Sequence, residues 1–411
     1  MYIWIIQTGE PMFMDGSHVR SMRAMNLATK AIEIGHKITI ITANFDHFTK
    51  KKRFQGDYFL EISENLEIHF VDSPGYARNI GLKRFYDHFI LGHRMKKIAH
   101  TLSKPDVAFI GYPPIETSWF MSKFCSKNKI PFILDVKDAW PTNIVEVFPG
   151  KIQFLAKLIL LPYFKMFSFA SKKANKISSI SDSFLKWTQV TTNRPENNKD
   201  FVSYLTSTEV QVTEKQNQEA NIWFTNKVEL KTGLPTIYFV GSLSRSFNFD
   251  PIIESAKLKD FNLIIAGDGE QYSYLKNKTL NLDNVHMVGW VNTAQSKVIA
   301  ENSDMALAPI KPLPDFEMSI PNKFFDYMRQ GKPIISSLRG ESKLLIERKQ
   351  IGFYYSTSAD FSEIVKTKIQ DKLLVKAMSQ NCLNSFKSEF EYNLVYGKLV
   401  DELEDLVADA V

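Results

Sequence analysis

Apolar and polar positions follow a regular order from the first residues of the chain. Residues 3–8 form a short apolar run that predicts a buried strand, and residues 18–34 place apolar side chains at helical spacing up to Gly35. Residues 37–42 then predict a second strand. A strand, a loop, a helix and another strand in this order are typical of doubly wound α/β domains.

The same order continues through the chain and predicts two domains. Further strands are predicted at residues 58–70, 105–110, 131–135, 236–240, 262–266, 285–291, 305–309 and 352–355. Residues 190–233 are polar and predict a linker with an exposed helix. At 411 residues, the chain suits domains at 1–205 and 206–387 with a final helix at 388–411. Residues 372–408 have a helical pattern, with an apolar side formed by Tyr392, Tyr396, Leu399, Leu403 and Leu406.

The stretch from Ser319 to Ile335 carries the strongest chemical signal. Ser319 is a good N-cap residue shortly before a Pro, and the helix predicted after it stops at Gly331. A helix N-terminus offers unpaired N–H groups to an anion, and Lys323 in the first turn adds a full charge. Asp326, one turn later, has oxygens that could hold sugar hydroxyls. The pattern indicates a phosphate site, although a capped structural helix shows the same pattern.

The first strand is followed by a turn-rich loop at residues 9–17. Ligands of doubly wound sheets bind at the carboxyl ends of the strands, so this loop should border a site. Arg20 and Arg23 lie about one turn apart at the start of the next helix. They either face this site or belong to a solvated basic face.

The charge of the chain indicates which binding partners are possible, and its cysteine content indicates the cellular compartment. The formal net charge is +6, but the first 200 residues hold 28 basic and 18 acidic residues, against 23 and 27 in the remainder. This asymmetry indicates a polyanionic partner for the first half, either nucleic acid or an anionic membrane. We expect no nucleic-acid partner because the chain contains no recognition module. The two cysteines, Cys125 and Cys382, and an N-terminus without signal-peptide features predict a cytoplasmic protein.

Two basic amphipathic segments, residues 81–103 and 151–176, are candidates for membrane contact. In the second segment Lys157 and Lys165 interrupt an apolar run that Pro162 divides, so it is too short to span a bilayer about 30 Å thick. Its composition suits a helix in the plane of the interface, with lysine side chains reaching the headgroups. The alternative is a buried helix packed on the sheet.

Several motifs occur in an informative order. In the second half, strand ends are followed by Gly241-Ser-Leu with Arg245, Gly267-Asp-Gly, Gly289-Trp-Val, Pro309, and the stretch at residues 319–333. Together they resemble the nucleotide-sugar half of retaining GT-B glycosyltransferases of family 4, most closely the enzymes that build bacterial O-antigen, capsule and related surface glycans. In the first half, three segments are similar to signatures of the same family: Gly35-His-Lys-Ile-Thr-Ile-Ile-Thr42, Tyr112-Pro-Pro and Asp135-Val-Lys-Asp-Ala-Trp-Pro141.

The resemblance implies the GT-B fold. In this α/β fold two Rossmann-like domains face a central cleft, the N-terminal domain binds the acceptor, and the C-terminal domain binds the nucleotide-sugar. The C-terminal helix crosses back to pack on the N-terminal domain. The chain lacks an Asp-x-Asp motif, which argues against the metal-dependent GT-A plan. We therefore predict no metal and no other cofactor.

The resemblance also implies which residues bind the donor. Arg245 and Lys323 would neutralise the diphosphate and stabilise the departing nucleotide, and Asp326 would hold the ribose hydroxyls. Backbone groups near Trp290 would meet the base. The complete set of donor-binding positions is Gly16, Gly241, Ser242, Arg245, Gly267, Asp268, Gly289, Trp290, Val291, Ser319, Ile320, Asn322, Lys323 and Asp326.

On the acceptor side, Asp138 is the catalytic candidate beside Arg245 and Lys323. Its carboxylate would contact the acceptor hydroxyl or the donor sugar, or it only caps its loop. The expected acceptor-binding residues are His18, Arg20 and Tyr112. The resemblance implies a front-face reaction, so no enzyme nucleophile is required.

The chain departs from the family pattern at two places. The family often carries two Glu residues separated by seven positions, and here they are replaced by Met318 and Asp326. Glu317, one residue early, is a possible substitute. In the first glycine loop Asn248 replaces a glycine, and Asn tolerates the left-handed conformation better than most residues.

The resemblance predicts a retaining glycosyltransferase that moves a hexosyl or N-acetylhexosaminyl group from a UDP-sugar, less readily a GDP-sugar, to a lipid-linked or glycan acceptor in bacterial surface polysaccharide synthesis. It would lie on the cytoplasmic face of the inner membrane, held by residues 81–103 and 151–176. Two other functions fit the same fold. One is a nucleotide-sugar epimerase or hydrolase, and the other is a catalytically silent partner subunit, which the replacement at Met318 would suit.

Overall fold

The structure, a computed structural model, describes residues 1–16, 20–79 and 81–409. It contains two compact units. The first comprises Met1–Thr208 and Tyr392–Val411, and the second comprises Glu209–Glu391. The chain therefore enters the second unit once and returns to the first with its last helix.

Strands occur in both units, and each follows an apolar run of the sequence. In the described residues the strands of the first unit are β1 Tyr2–Ile6, β2 Lys37–Ala43, β3 Tyr58–Ser63, β4 Leu66–Val71, β5 Val107–Tyr112, β6 Phe132–Val136, β7 Lys176–Ser179 and β8 Phe201–Val202. Those of the second unit are β9 Thr236–Val240, β10 Asn262–Ala266, β11 Val285–Gly289, β12 Met305–Ala308, β13 Ile334–Ser336 and β14 Gly352–Tyr354.

Helices connect most of these strands. In chain order the described helices are α1 Arg23–Glu33, α2 Leu82–Ala99, α3 Ile115–Asn128, α4 Thr142–Glu146, α5 Gly150–Ile159, α6 Leu161–Lys173, α7 Asp182–Thr192, α8 Glu214–Lys227, α9 Asp250–Ala256, α10 Tyr272–Thr279, α11 Thr293–Glu301, α12 Pro314–Glu317, α13 Asn322–Arg329, α14 Glu341–Lys349, α15 Ser358–Ile364, α16 Lys372–Ser385 and α17 Tyr392–Ala408. A 3-10 turn lies at Phe13–Asp15, and π-helical turns extend α15 over Val365–Ile369 and α16 over Phe386–Phe390.

The first unit is built on a sheet that is buried on both faces. Its strand order among the described residues is β3-β4-β2-β1-β5-β6-β7-β8, and the pairs are parallel except for β3 with β4. Successive side chains of β1 point to opposite faces. Trp4 and Ile6 join a core with residues of α2, α3 and α6, whereas Ile3 and Ile5 join a core with residues of α1 and α17.

The last helix packs in the first unit. The Tyr392 hydroxyl donates to the Asn26 carbonyl at 2.9 Å, and the Tyr396 hydroxyl donates to the Thr206 carbonyl at 3.0 Å. The apolar side predicted for this helix is confirmed, because all five of its predicted residues are buried. The helical pattern predicted over 372–408 is confirmed, and it forms two helices, because the extended backbone at Glu391 separates α16 and its π-helical turn from α17.

Arg23 lies in the interior of the first unit. Its guanidinium Nε is 3.3 Å from Asp135 Oδ2, and both side chains are fully buried. The Nη atoms donate to the Ser203 hydroxyl at 2.8 Å and to the Ser203 carbonyl at 2.6 Å. Arg23 therefore belongs neither to a solvated basic face nor to an exposed site. Its charge is compensated inside the unit, as a buried charge requires.

The second unit repeats the same plan with a smaller sheet. Its order in the described residues is β11-β10-β9-β12-β13-β14, and every pair is parallel. The central strand β9 is apolar and almost completely buried, as expected for a parallel sheet covered on both faces. Because the strands are parallel, the loops that follow β9, β10 and β11 emerge at the same edge of the sheet.

Candidate functional site

Three glycine loops of the second unit are hydrogen-bonded to one another at this edge. The Gly241 amide, just after β9, donates to the Ala266 carbonyl at 2.9 Å. The Gly267 amide, just after β10, donates to the Gly289 carbonyl at 2.6 Å. The Leu243 amide donates to the Asp268 carbonyl at 2.8 Å. The loops after β9, β10 and β11 thus form one connected backbone surface, as the motif order predicted.

Close backbone contacts explain why glycine is needed in two of these loops. Gly267 has φ of +144°, and a Cβ there would lie 1.8 Å from the Gly241 carbonyl oxygen. A Cβ on Gly241 would lie 2.0 Å from Lys323 Nζ. Any larger residue would push the loops apart or displace the lysine. The glycines therefore let the loops and the lysine approach one another.

Lys323 places its ammonium group at the end of β9. Its Nζ donates to the Val240 carbonyl and lies 4.5 Å from the ring centroid of Phe239 and 5.6 Å from that of Phe247. These aromatic faces attract the cation and hold it beside Gly241. The sequence predicted a cation here, but it did not predict the aromatic residues that position it.

The helix that carries Lys323 begins later than predicted. Helix α13 starts at Asn322 with Pro321 as its N-cap. Ser319 is not the cap, because its hydroxyl donates to the Phe316 carbonyl at 3.1 Å. The predicted stop at Gly331 is confirmed: φ is +63°, and the Gly331 amide donates to the Met328 carbonyl at 3.0 Å. Lys323 remains in the first turn.

The other predicted donor residues occupy different positions in the second unit. Arg245 is 85% exposed, and its Nε is 3.1 Å from Glu270 Oε2. Asp268 accepts from the Gly269 amide at 2.7 Å, Asp326 is half-buried in α13, and Trp290 is 62% exposed. Of the remaining predicted positions, Ile320 is buried, Ser242 is exposed, and Val291, Ser319 and Asn322 are partly buried.

The two departures from the family pattern have structural counterparts. Glu317 Oε1 lies 3.0 Å from Arg339 Nε, so this carboxylate already has a cationic partner. Asn248 does not adopt the left-handed conformation that the sequence suggested. Its side chain instead accepts from the Asp250 amide at 3.3 Å, which turns the chain into α9 without a positive φ.

In the first unit, ion pairs fix the loop that follows β1. Glu10 Oε1 lies 2.7 Å from Lys137 Nζ, and Glu10 Oε2 accepts from the Ala24 amide at 2.9 Å. Arg53 donates to both carboxylate oxygens of Asp15, at 2.7 and 2.6 Å. These bonds connect the loop to the segment after β6, to α1 and to the loop after β2. Arg53 ends a basic run at residues 50–53, and its role in fixing this loop is visible only in the fold.

Two of the predicted residues of this loop, Gly16 and Arg20, lie on either side of residues 17–19, which are outside the described part of the chain. Gly16 is described and exposed, whereas His18 lies outside the described residues. Arg20 is exposed, and its Nε donates to the Ser207 hydroxyl at 2.8 Å. The structure therefore leaves Arg20 at the surface of the first unit, in contrast to Arg23.

Tyr112 ends β5 and Asp138 follows the neighbouring strand β6, but the two side chains differ in their exposure to solvent. Asp138 is half-buried, and its Oδ1 accepts from Asn143 Nδ2 at 2.8 Å. Tyr112 is fully buried, stacks on Phe167 with ring centroids 4.3 Å apart, and donates its hydroxyl to the Trp140 carbonyl. Burial, and to a smaller extent Asp138, raise the pKa of Tyr112. The acceptor contact predicted for Tyr112 is corrected, because its hydroxyl is used inside the core.

Exposed apolar side chains are concentrated in residues 147–161 of the first unit. We define the 147–161 surface by side chains that are at least partly open to solvent: Val147, Phe148, Ile152, Phe154, Leu155, Leu158, Ile159 and Leu161. Phe154 is 73% exposed, and Ala156 is the buried residue of α5. The alternative of a helix buried on the sheet is therefore wrong for α5, whereas α6 buries Phe167 and Ala170.

In the described ranges, no single helix is both long enough and apolar enough to cross a membrane. Helices α5 and α6 together have the necessary length and composition, but they meet at a bend of 64°. Within the same ranges, no cluster of three or more His, Cys, Asp or Glu side chains suits a metal ion.

Residues 234–371 match the family model described as Glycosyl transferases group 1. This match covers about a third of the chain and lies within the second unit. The match spans β9 to the helical segment after β14, and therefore includes all three glycine loops and Lys323. A comparison of the whole chain with curated proteins found no match.

Solved structures resemble the chain over nearly its whole length. HepE from Anabaena in complex with UDP is 13% identical, with a TM-score of 0.65 over 98% of this chain and 99% of that chain. WaaG, a glycosyltransferase involved in lipopolysaccharide biosynthesis, is 12% identical, with a TM-score of 0.63 over 98% and 99%. A trehalose 6-phosphate synthase from Burkholderia multivorans is 10% identical, with a TM-score of 0.64 over 100% and 99%. These likenesses confirm the predicted two-domain α/β fold, GT-B.

Proposed function

We propose that the protein is a retaining glycosyltransferase of the family 4 type. It transfers a sugar from a UDP-sugar to a lipid-linked or glycan acceptor in bacterial surface polysaccharide synthesis. The observation that carries the proposal is the position of Lys323, whose ammonium group lies beside Gly241 at the end of β9. This position falls within the glycosyl transferase group 1 match.

The donor diphosphate binds at the edge formed by the three glycine loops. Lys323 provides the positive charge, and backbone amides near Gly241 and at the start of α13 provide hydrogen bonds. The same groups stabilise the negative charge that develops on UDP as the glycosidic bond breaks. Arg245 exchanges its exposed partner Glu270 for a phosphate oxygen, since an exposed ion pair contributes little on its own.

The remaining parts of the donor have polar partners at the same edge. Asp326 holds the ribose hydroxyls, and the backbone around Trp290 binds the base. HepE has been solved with UDP and with UDP-glucose, and its structural likeness to this chain supports a UDP-linked donor. Lys323 and Arg245 take the place of a divalent cation, so the proposed reaction uses no metal.

On the acceptor side, Asp138 contacts the acceptor hydroxyl or the donor sugar. Asn143 donates a hydrogen bond to Oδ1 of Asp138. This bond fixes the orientation of the whole carboxylate group. The loop after β6 also carries Lys137, which is paired with Glu10. The carboxylate is therefore positioned by the first turn of α4, which follows its loop. Retention is tested by determining the anomeric configuration of the product by NMR.

Nucleotide binding is tested by thermal unfolding with UDP, GDP and ADP. We expect UDP to raise Tm by roughly 5 °C at 100 times Kd, because binding to the folded state adds about 2.7 kcal/mol and each kcal/mol shifts Tm by about 2–4 °C. GDP and ADP should give smaller shifts at the same concentration. Stabilisation by GDP alone would contradict the donor assignment, and a flat response to every nucleotide would favour the silent-subunit hypothesis.

We further propose that the protein binds the cytoplasmic face of the inner membrane through the 147–161 surface and the start of α2, where Leu82 is 86% exposed. Lys151 and Lys157 are exposed on α5 beside the apolar side chains. Apolar side chains that enter the acyl boundary, with lysines at the headgroup level, are typical of interfacial helices. The charge favours anionic lipids.

Replacing Phe154 and Leu158 together with Ser should weaken binding to phosphatidylglycerol vesicles by at least about tenfold, because each apolar side chain loses about 1 kcal/mol or more of transfer free energy. Flotation of the full-length protein with vesicles measures this effect. The control is Ile222→Ser, which removes an exposed apolar residue of α8 in the second unit. Equal vesicle binding by the double variant and the wild type would refute the assignment of this surface.

A further inference from the structure

Two cations and two aromatic rings meet in the first unit outside the residues assigned above. Lys50 Nζ lies 4.8 Å from the Tyr76 ring centroid. Arg84 Cζ lies 4.3 Å from the Trp140 ring centroid and 5.6 Å from that of Tyr76. We call Lys50, Arg84, Tyr76 and Trp140 the basic-aromatic cluster. Its members come from the loop after β2, the first turn of α2, and the loops after β4 and β6.

The cluster has no anion of its own. Within the part of the chain that the structure describes, neither Lys50 nor Arg84 forms a salt bridge, and their hydrogen-bond acceptors are neutral groups of His47 and Asn79. The Arg84 Nε atom is buried and has no hydrogen-bond partner among the described residues. A desolvated guanidinium nitrogen without an acceptor is costly, so the cluster lacks a negatively charged partner.

Nearby carboxylates are occupied elsewhere. Asp46 accepts hydrogen bonds from the Phe48 amide at 2.8 Å and from Thr49, and Arg53 is its nearest cation at 3.9 Å. Asp87 accepts from the Gly75 amide at 2.6 Å. These groups stabilise their own loops. Asp46 also attracts Lys50 and partly opposes the lowering of its pKa, but neither carboxylate forms a salt bridge with Lys50 or Arg84 in the described part of the chain.

The surplus of positive charge is visible in a neighbouring histidine. The pKa of His47 is lowered to about 4, mainly by burial and then by the charges of Lys50 and Arg84. Burial, followed by Arg84, also lowers the pKa of Lys50. Both lowered pKa values mean that a further positive charge is disfavoured beside the cluster. An incoming anion would relieve the repulsion.

The cluster lies between the catalytic candidate and the exposed apolar surface. Trp140 is two residues after Asp138 on the loop that follows β6. Phe85, adjacent to Arg84, contacts Trp140 with centroids 6.3 Å apart and Tyr163 with centroids 5.0 Å apart. Tyr163 and Phe85 also pack against Ala156 and Leu160 of the helices that carry the 147–161 surface. The basic, apolar and catalytic features are therefore contiguous within the first unit.

We propose that the basic-aromatic cluster binds the phosphate or diphosphate group of a lipid-linked acceptor. The lipid chain lies on the 147–161 surface, and the sugar end extends toward Asp138. The guanidinium of Arg84 and the ammonium of Lys50 form charge-assisted hydrogen bonds to the phosphate oxygens. The identity of the acceptor rests on the proposed function, whereas the binding of a diphosphate at this place does not.

The test measures binding of farnesyl diphosphate to the full-length protein by calorimetry, with UDP present at saturation to occupy the donor site. Arg84→Gln and Lys50→Gln should each weaken binding by about tenfold, since each removes one charged contact. Lys127→Gln is the control, because Lys127 is an exposed lysine of α3 in the same unit and has no role in the proposed sites. It should bind like the wild type. Thermal unfolding of each variant confirms that the fold is intact.

Three further probes show which part of the ligand, or which other source of phosphate, binds at the cluster. Inorganic diphosphate tests the charge alone, farnesol tests the apolar surface alone, and phosphatidylglycerol vesicles test a bilayer headgroup. The proposal expects both cluster variants to weaken farnesyl diphosphate and inorganic diphosphate but not farnesol. Folded cluster variants that bind farnesyl diphosphate like the wild type would overturn it, and so would an effect seen only with vesicles or an equal effect of Lys127→Gln.

The same measurements keep this inference apart from the proposed function. A protein that binds farnesyl diphosphate through Arg84 but shows no thermal shift with UDP would contradict the donor assignment alone. A protein that is stabilised by UDP but binds farnesyl diphosphate independently of Lys50 and Arg84 would contradict the cluster assignment alone.

Discussion

Replacing Lys323 with Ala is expected to weaken UDP binding by about 10- to 100-fold. The substitution removes a charge-assisted contact worth about 1.5–3 kcal/mol, and each 1.4 kcal/mol corresponds to a factor of ten in Kd. The ammonium group lies at the end of β9 beside Gly241, where the diphosphate is proposed to bind. Calorimetric titration of UDP into the full-length variant measures the change.

The loss in turnover should exceed the loss in affinity. Negative charge grows on the departing UDP as the glycosidic bond breaks, so the lysine interacts more strongly with the transition state than with the bound donor. Comparing kcat with the UDP affinity of the same variant separates these two contributions. A fall in affinity without any fall in kcat would assign Lys323 to ground-state binding only.

The control for charge is Lys343→Ala. Lys343 is a partly exposed lysine of α14 in the same unit and is 3.7 Å from Glu347, an i,i+4 ion pair that adds little stability. UDP affinity should be unchanged in this variant. The donor assignment fails if Lys323→Ala is folded and binds UDP as tightly as the wild type does.

The sequence predicted those parts of the site that depend on local pattern. Buried strands are recognisable from short apolar runs, and glycines at their carboxyl ends mark tight turns. The loops of Gly241, Gly267 and Gly289 could therefore be placed at one edge of a sheet before any contact was known. Their hydrogen bonds confirm that placement. Lys323 stayed in the first turn even though the helix begins at Asn322 and not after Ser319.

What the sequence could not predict depends on partners that are far away in the chain. Arg23 looks like a surface residue until Asp135 and Ser203 are placed around it. Tyr112 looks like a binding residue until Phe167 stacks on its ring. In both cases, burial is decided by tertiary packing of distant segments, and a local motif carries no information about it.

The same reason applies to the basic-aromatic cluster. Lys50 belongs to a charged loop segment and Arg84 to a basic helix, and each pattern alone predicts a solvated face. Only the fold brings Tyr76 and Trp140 beside them. The basic run at residues 50–53 thus contains a structural residue, Arg53, and a residue that we propose binds an anion, Lys50.

Gly267→Ala should abolish detectable UDP binding, a loss of more than about 100-fold, because the glycine loops are packed backbone against backbone. The new Cβ would lie 1.8 Å from the Gly241 carbonyl oxygen, and backbone cannot move away as a flexible side chain can. The loops after β9 and β10 must separate, which displaces the amides that are proposed to bind the diphosphate. Overpacking of this kind typically costs about 1–3 kcal/mol, so Tm should also fall.

The control variant Gly233→Ala distinguishes the effect of this close contact from the effect of backbone strain alone. Gly233 lies in the same unit with φ of +81°, but a Cβ there would meet no atom within 4 Å. Both substitutions force an alanine into a positive φ at a cost of about 1 kcal/mol, whereas only Gly267→Ala drives two loops apart. Gly233→Ala should therefore bind UDP normally. If the two variants lose the same affinity and the same stability, the loss comes from backbone strain, and the connected glycine loops are not what shapes the donor site.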